Sequence, residues 1–183
     1  MTINVVLTGP ESTGKTFLTN SLAKSFNIPI VSEIARDYLS RIKRQYLPSD
    51  LLAIAERQHQ EELLIKISKG FVADTDQQVL SIWWQEKYGP LPDRLVNLYE
   101  AQCERFYLLC YPDLPWEPDP LRENEHDRQR IFNLYKLDLE KRDLPHKVIK
   151  GSGKERTELA IQAICSYKDF KIFCLGPFVI NFI

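Results

Sequence analysis

GPESTGKT, residues 9–16, is the stretch that decides the fold of this chain. It matches the pattern glycine, four residues, then Gly-Lys-Ser/Thr, and it follows the apolar run INVVL at residues 3–7. An apolar strand, a glycine loop and a helix in this order are the context of a phosphate-binding loop. The glycines allow successive amide N–H groups to turn toward an anion, and the dipole of the following helix is positive there. The stretch therefore predicts nucleotide binding.

Individual loop residues suggest individual roles. Lys15 is placed to reach the β- and γ-phosphates of ATP, and the Thr16 hydroxyl to ligate Mg²⁺. A glycine turn beside a solvated lysine is the alternative, and the position at the first strand-to-helix junction argues against it. We expect the nucleotide to be bound by Gly9, Glu11, Ser12, Thr13, Gly14, Lys15, Thr16 and Phe17.

Length and composition indicate one ordinary globular domain over residues 1–183, with 44% hydrophobic and 27% charged residues. The net charge of −1 gives no electrostatic reason to expect nucleic acid or an anionic membrane as partner. Four cysteines without Cys-x-x-Cys spacing are typical of reduced thiols in a cytoplasmic protein. The N-terminal apolar run is too short for a signal peptide.

The C-terminal tail, residues 170–183, is strongly apolar but shorter than a membrane span and interrupted by Gly176-Pro177. We expect an extra strand or a packed tail. Sealing the sheet edge and forming a contact between subunits of a homo-oligomer both remain open for it.

Strand and helix patterns alternate along the chain, which predicts an α/β fold with a parallel sheet of about five strands and helices on both faces. The predicted strands are residues 3–8, 29–32, 70–73, 105–110 and 147–150. Four prolines within residues 112–120 exclude regular structure there, and residues 113–130 are predicted to form a mobile lid. Ligands of open α/β sheets bind outside the carboxyl ends of the strands, so polar residues directly after the strands are candidates for the site.

Two acids follow the third strand. Asp74 is the candidate for holding Mg²⁺, directly or through water, and Asp76 for accepting the proton of a substrate hydroxyl or holding a ribose. One of the pair could instead cap the helix that begins near Gln77.

Charged residues also follow the second strand. Glu33 could bind sugar hydroxyls or act as a base, with Arg36 and Asp37 one helical turn later. A surface salt bridge of Glu33 and Asp37 with Arg36 or Arg41 is an equal alternative.

Arginine and tryptophan supply the remaining candidates. Arg122 lies at a loop–helix junction beside the rim and suits a transferring phosphate, because its planar fork stays charged and donates in pairs. Trp84 is the first candidate for stacking on an aromatic base, ahead of Trp83 and Trp116, although core packing is the usual role of such residues.

Four segments together carry a family resemblance: GPESTGKT, SEIARDYL at residues 32–39, VADTDQQVLSIWW at 72–84 and YPDLPWEPDPLREN at 111–124. In this order they resemble the ribosylnicotinamide kinase domain of NadR-type proteins, over residues 3–165. The resemblance implies transfer of the ATP γ-phosphate to the 5′-hydroxyl of nicotinamide riboside.

By position, the resemblance implies further roles. Gly14, Lys15 and Thr16 would serve ATP and Mg²⁺, and Asp74 and Asp76 would lie at the acceptor and the metal. Arg122 would lie in the lid, Trp84 near the nicotinamide, and Gly151 and Gly153 beside the adenine. Larger NadR-type proteins also carry an adenylyltransferase domain, and some a DNA-binding domain; we do not expect the activities of those domains in this chain.

Two alternatives remain at this stage. The first keeps the kinase fold and changes the acceptor to another nucleoside, nucleotide or sugar. The second is a nucleotide-dependent switch whose ATP hydrolysis drives binding to a protein partner, with residues 112–120 and the tail as binding surfaces.

Overall fold

The computed structural model describes residues 3–65 and 70–174, and side chains as far as residue 169. Five parallel strands form one sheet in the order β2-β3-β1-β4-β5. The strands are β1 (Ile3–Thr8), β2 (Ile30–Val31), β3 (Gly70–Asp74), β4 (Phe106–Cys110) and β5 (His146–Ile149). The predicted sheet is confirmed.

Seven helices connect and follow the strands in the described part of the chain. They are α1 (Lys15–Phe26), α2 (Ile34–Arg41), α3 (Pro48–Ile65), α4 (Gln77–Tyr88), α5 (Asp93–Glu100), α6 (Arg128–Lys141) and α7 (Gly153–Cys174). The backbone of residues 170–174 is helical, so the extra strand expected there is wrong for those positions. The rest of the predicted tail, residues 175–183, lies outside the described residues.

Side chains alternate between the two faces of the sheet, because successive residues of a strand point to opposite sides. On one face, Val5 and Leu7 of β1 pack with Leu18 and Leu22 of α1 and with Ile164 of α7. These residues are at most 1% exposed.

The opposite face is covered by α4 and α6. Val6 of β1 and Tyr107 of β4 pack there with Ile82, Phe132 and Leu139. The central strands are therefore buried on both sides, as all-parallel sheets require.

Beyond one edge of the sheet, α2, α3, α4 and α5 build a third apolar cluster around Leu51, Ile54, Leu80 and Leu95. This helical layer extends the wall that follows β2 and β3. Within the described residues, no helix combines the length and the apolarity that crossing a membrane requires.

Candidate active site

A cavity of about 750 Å³ lies at the carboxyl ends of the strands, where ligands of such sheets bind. Its volume is within the range of small-molecule sites. The walls come from the phosphate loop, the ends of β2 and β3, helix α4, the segment before α6, and the start of α7. Most of the residues predicted to form the site line this cavity: Gly9, Glu11, Ser12, Thr13, Gly14, Lys15, Thr16, Phe17, Glu33, Arg36, Asp74, Arg122 and Gly153.

The phosphate loop needs both of its glycines. Gly9 has φ +123° and Gly14 has φ +73°, angles that L side chains rarely adopt. A Cβ on Gly9 would also lie 2.8 Å from the Cys110 carbonyl oxygen, too close for an ordinary contact. Gly14 precedes the first residue of α1, so the amide end of that helix lies at the cavity. The loop thus offers N–H groups to an anion.

Lys15 folds back across the loop. Its Nζ donates to the carbonyl oxygens of Gly9, at 2.9 Å, and Pro10, at 2.7 Å. Thr13 Oγ1 donates to the same Pro10 oxygen at 2.9 Å. The ammonium group therefore lies inside the curve of the loop, where it would meet a bound phosphate.

Asp74 ends β3 at the cavity wall and is 4% exposed. Its Oδ1 is buried and has no hydrogen-bond partner among the described residues. An orphaned carboxylate oxygen is costly unless a ligand satisfies it. Thr16, at the start of α1, lines the same cavity, and oxygen atoms of this kind are the ligands that Mg²⁺ prefers.

The described residues contain no group of three or more His, Cys, Asp or Glu side chains able to hold a metal ion. Mg²⁺ does not require such a group, because it is usually bound through one or two protein ligands together with waters and substrate phosphates. The residues present therefore fit the predicted cofactor.

Asp76 does not line the cavity, which corrects the expectation that it contacts the substrate. It is fully buried, and its Oδ2 accepts hydrogen bonds from Tyr107, at 2.7 Å, and Arg105, at 3.2 Å. Its Oδ1 accepts a hydrogen bond from the Gln78 amide, so Asp76 caps α4. Helix capping is the alternative role considered for this acid in the sequence analysis. Burial raises the pKa of Asp76, and the Arg105 guanidinium opposes that rise.

Arg105 extends this network to Glu62 of α3 at 2.9 Å. Both partners are at most 5% exposed. The buried ion cluster thus ties α3, β4 and the start of α4 together, behind the cavity.

Glu33 lies between β2 and α2 and is another of the carboxylates that line the cavity. Burial raises its pKa, with Lys15 lowering it and Asp74 raising it through their charges. Arg36 lies 3.7 Å from Glu33 and 2.7 Å from Asp119. Asp37 is exposed and forms a salt bridge of 2.7 Å with Arg41. It does not line the cavity, so its predicted contact with the substrate is not supported.

Trp83, and not the preferred candidate Trp84, lies at the cavity. Trp84 is 9% exposed within the helical layer and donates to the Pro90 carbonyl at 3.0 Å, so it does not reach the cavity. Trp83 lines the cavity instead. Its indole N–H donates to the Tyr46 hydroxyl at 2.9 Å, and the two aromatic rings pack edge to face. Adjacent residues of a helix point about 100° apart. The packing of α4 therefore decides which of the two tryptophans faces the cavity, and the sequence alone does not.

Residues 113–127, called the lid segment below, contain no helix or strand; residues 128–130 of the predicted lid begin α6. Arg122 lines the cavity from this segment and bonds to the Glu117 carbonyl. Lys87 of α4 also lines the cavity and pairs with Glu123 at 2.8 Å. Sequence reasoning missed Lys87, since a lysine late in an amphipathic helix carries no local signal.

Arg156 of α7 is a second residue that the sequence did not reveal. It is 3% exposed, lines the cavity, and donates to the Thr13 carbonyl at 3.0 Å and to Asp113 at 2.7 Å. It also bonds to the carbonyl of Gly151, which itself does not line the cavity. Its position three residues after Gly151-Ser152-Gly153, the polar turn that follows β5, is the signal that could have found it.

A glycine-rich loop between the first strand and the first helix, at the carboxyl edge of a five-stranded parallel sheet, defines a P-loop α/β protein. A family model described as an AAA domain matches residues 4–156. The chain belongs to that family.

Curated relatives at 28% identity include the trifunctional NAD biosynthesis/regulator proteins NadR of Escherichia coli K12 and Salmonella typhimurium LT2. Each alignment runs over 141 residues and covers 71% of this chain and 34% of the relative. The chain thus spans about a third of the length of these relatives. The resemblance noted from the sequence is confirmed.

Solved structures give the same fold. A NadR protein in complex with NR superposes with a TM-score of 0.73 at 20% identity, covering 91% of this chain and 51% of that chain. A thymidylate kinase from Ehrlichia chaffeensis has a TM-score of 0.66 at 14% identity, covering 89% and 98%. The predicted P-loop fold is therefore confirmed.

Proposed function

We propose that this protein is a Mg²⁺- and ATP-dependent kinase that phosphorylates the 5′-hydroxyl of nicotinamide riboside to nicotinamide mononucleotide. The observation that carries the proposal is the meeting of Lys15, Asp74 and Glu33 at one cavity. Likeness to NadR proteins, one of them solved with NR, supports the choice of acceptor.

On the donor side, the loop amides and the N-terminus of α1 would bind the β- and γ-phosphates. Lys15 would exchange its carbonyl partners for phosphate oxygens. Thr16 and Asp74 would hold Mg²⁺, which neutralises charge on the phosphates when bound. Arg122 would add a second fixed cation from the lid segment.

On the acceptor side, Glu33 would take the proton of the 5′-hydroxyl as its oxygen attacks the γ-phosphorus. The bond from that phosphorus to the β–γ bridging oxygen breaks, and ADP leaves. A raised pKa suits a carboxylate that must accept a proton. Arg36, beside Glu33, would hold the carboxylate in place.

The nicotinamide ring is a cation in the riboside, and an aromatic face attracts a cation. Trp83 presents its indole at the cavity wall, with its N–H already held by Tyr46. We assign the ring to this side of the cavity, beside α4, instead of to Trp84.

The test is an acceptor panel with Mg-ATP: nicotinamide riboside, thymidine, cytidine, thymidylate and no acceptor, with ADP release measured for each. We expect nicotinamide riboside to give the highest kcat/KM and a product that is phosphorylated once. Lys15→Ala protein, purified in parallel, controls for contaminating kinases. Faster turnover of thymidine or cytidine would reject the assignment.

A second candidate keeps the kinase fold and takes another nucleoside or nucleotide, as the structural likeness to thymidylate kinase suggests. The same panel separates the two. ATP hydrolysis that no acceptor stimulates would favour the nucleotide-dependent switch instead.

A further inference from the structure

Two side chains of the phosphate loop bind the main chain of the lid segment. Ser12 Oγ accepts a hydrogen bond from the Glu117 amide at 2.8 Å. Glu11 Oε2 accepts from the consecutive amides of Glu123 and Asn124, each at 3.0 Å. A carboxylate shared by two amide N–H groups makes charge-assisted hydrogen bonds, which are stronger than neutral ones. The loop thus holds the lid segment at two separate points.

The same loop also fixes the end of the lid segment. Arg128, the first residue of α6, donates to the carbonyl oxygen of Ser12 at 3.2 Å and to that of Leu114 at 2.9 Å. Its guanidinium is within 5.8 Å of the Trp116 ring centre. Contacts to the loop are therefore spread along the lid segment from Glu117 to its junction with α6.

Arg122 lies between these anchor points. Its amide donates to the Asp119 carbonyl at 3.0 Å, and its side chain reaches Ser12 Oγ at 3.4 Å. The side chain is 19% exposed and lines the cavity. Because the amides of Glu117 and Glu123 are held on both sides, the guanidinium is confined to the cavity wall next to the loop.

Ser12 gives an independent reason to assign a role to its hydroxyl. Its φ of +54° lies in the left-handed region, which is costly for any residue with a Cβ. Glycine would remove that cost but has no hydroxyl to offer. The strain at this position is therefore consistent with a requirement for the side chain.

We propose that Glu11 and Ser12 are positioning residues that anchor the lid segment to the phosphate loop and so place Arg122 at the transferring phosphate. This role of the two side chains adds to the predicted part of Glu11 and Ser12 in binding the nucleotide, which the main-chain amides of the loop can supply. It rests on the proposed kinase function for its consequence and on the contacts above for its structure.

The first experiment measures amide hydrogen exchange by NMR and needs no turnover. In Glu11→Ala, we expect the amides of Glu123 and Asn124 to exchange at least about tenfold faster, because they lose their acceptor. In Ser12→Gly, the Glu117 amide should respond in the same way. Glu125→Ala, at an exposed position of the same segment, is the matched control and should change none of the three. Unchanged exchange in Glu11→Ala would refute the anchor.

The second experiment is a double-mutant cycle on kcat with nicotinamide riboside and ATP. If Glu11 acts through Arg122, Glu11→Ala should lower kcat about tenfold in the wild-type background and have little further effect in Arg122→Ala. Glu11→Gln, which keeps one acceptor oxygen, should recover part of the loss. Losses that multiply would show that Glu11 acts independently of Arg122 and would overturn the proposal.

The two failures are distinguishable. If the protein phosphorylates a different acceptor, the proposed function fails, and the cycle is measured with that acceptor. The exchange experiment decides on the anchor in either case.

Discussion

Asp74 and Asp76 lie two residues apart, yet Asp74 lines the cavity while Asp76 is sealed behind it in an ion pair with Arg105. The strand ends at Asp74, and the intervening Thr75 has φ +79°, so the chain turns sharply before α4 begins. The two carboxylates therefore have different tasks. One is available to a metal ion and the other stabilises the wall that supports it.

This difference predicts the effect of Asp76→Asn. Asp76 accepts hydrogen bonds from Tyr107, Arg105 and the Gln78 amide through both carboxylate oxygens. Asparagine has only one side-chain oxygen, so at least one buried donor loses its acceptor, which costs about 2 kcal/mol. We expect the free energy of unfolding in urea to fall by that amount, while kcat of the folded protein stays within about threefold. Exposed Asp37→Asn should leave stability nearly unchanged. A kcat loss of a hundredfold at full stability would return Asp76 to the reaction.

Asp74→Asn should act on metal dependence. In the proposed kinase, the orphaned Oδ1 would be one of the protein ligands of Mg²⁺, and an amide is a weaker ligand than a carboxylate. A titration of activity against Mg²⁺ at saturating ATP should show a midpoint shifted upward about tenfold or more. Asp93→Asn, an exposed acid in α5, provides the comparison. An unshifted midpoint would exclude Asp74 as a ligand.

Lys15→Ala removes the positive charge inside the loop. Charge neutralisation at the transferring phosphate is a large part of catalysis, so kcat should fall about 10²- to 10³-fold. The melting temperature should change little, since Nζ bonds to carbonyls of a loop that other contacts also hold. Lys24→Ala, on the exposed side of the same helix, should keep full activity. Activity within tenfold of wild type would disprove the loop as the donor site.

Glu33 links pH to both activity and stability. Burial raises its pKa above the ordinary 4.5, so its ionised form, which would accept the proton of the substrate hydroxyl, is lost as pH falls through the raised value. The acid limb of kcat/KM should therefore lie above pH 4.5 and disappear in Glu33→Gln, which should be nearly inactive.

Stability should move in the opposite direction. A carboxyl whose pKa is raised by folding binds protons more readily in the folded state, so its contribution to stability declines as pH rises through the raised value. At neutral pH, Glu33→Gln should thus melt at a higher temperature than the wild type. A lower melting temperature would mean that Glu33 is held by favourable contacts that outweigh its burial.

The sheet and most helices were predictable because their signals are local. A short stretch of sequence is enough to predict each of the loop GPESTGKT, the apolar strands and the amphipathic α3. The bounds of α2 were not predicted, since eight residues with two buried positions, Ala35 and Leu39, give too short a repeat.

Site residues were predictable where their position at a strand end puts them in the site. They were not predictable where the direction of the side chain decides whether it faces the cavity. Asp74 follows from its place at a strand end. Asp76 could not be separated from it, because its partner Arg105 lies 29 positions away, directly before another strand. Trp83 and Trp84 are neighbours in sequence, and their assignment depends on the rotation of α4 against the sheet.

Arg156 joins the last helix to the first loop, donating to the Thr13 carbonyl across 143 positions of sequence. During synthesis, the ribosome releases the loop early and its supporting guanidinium late. A nascent chain therefore cannot complete its phosphate cradle until α7 has emerged. A fragment truncated before residue 153 should accordingly bind ATP weakly, even though it contains the entire glycine motif.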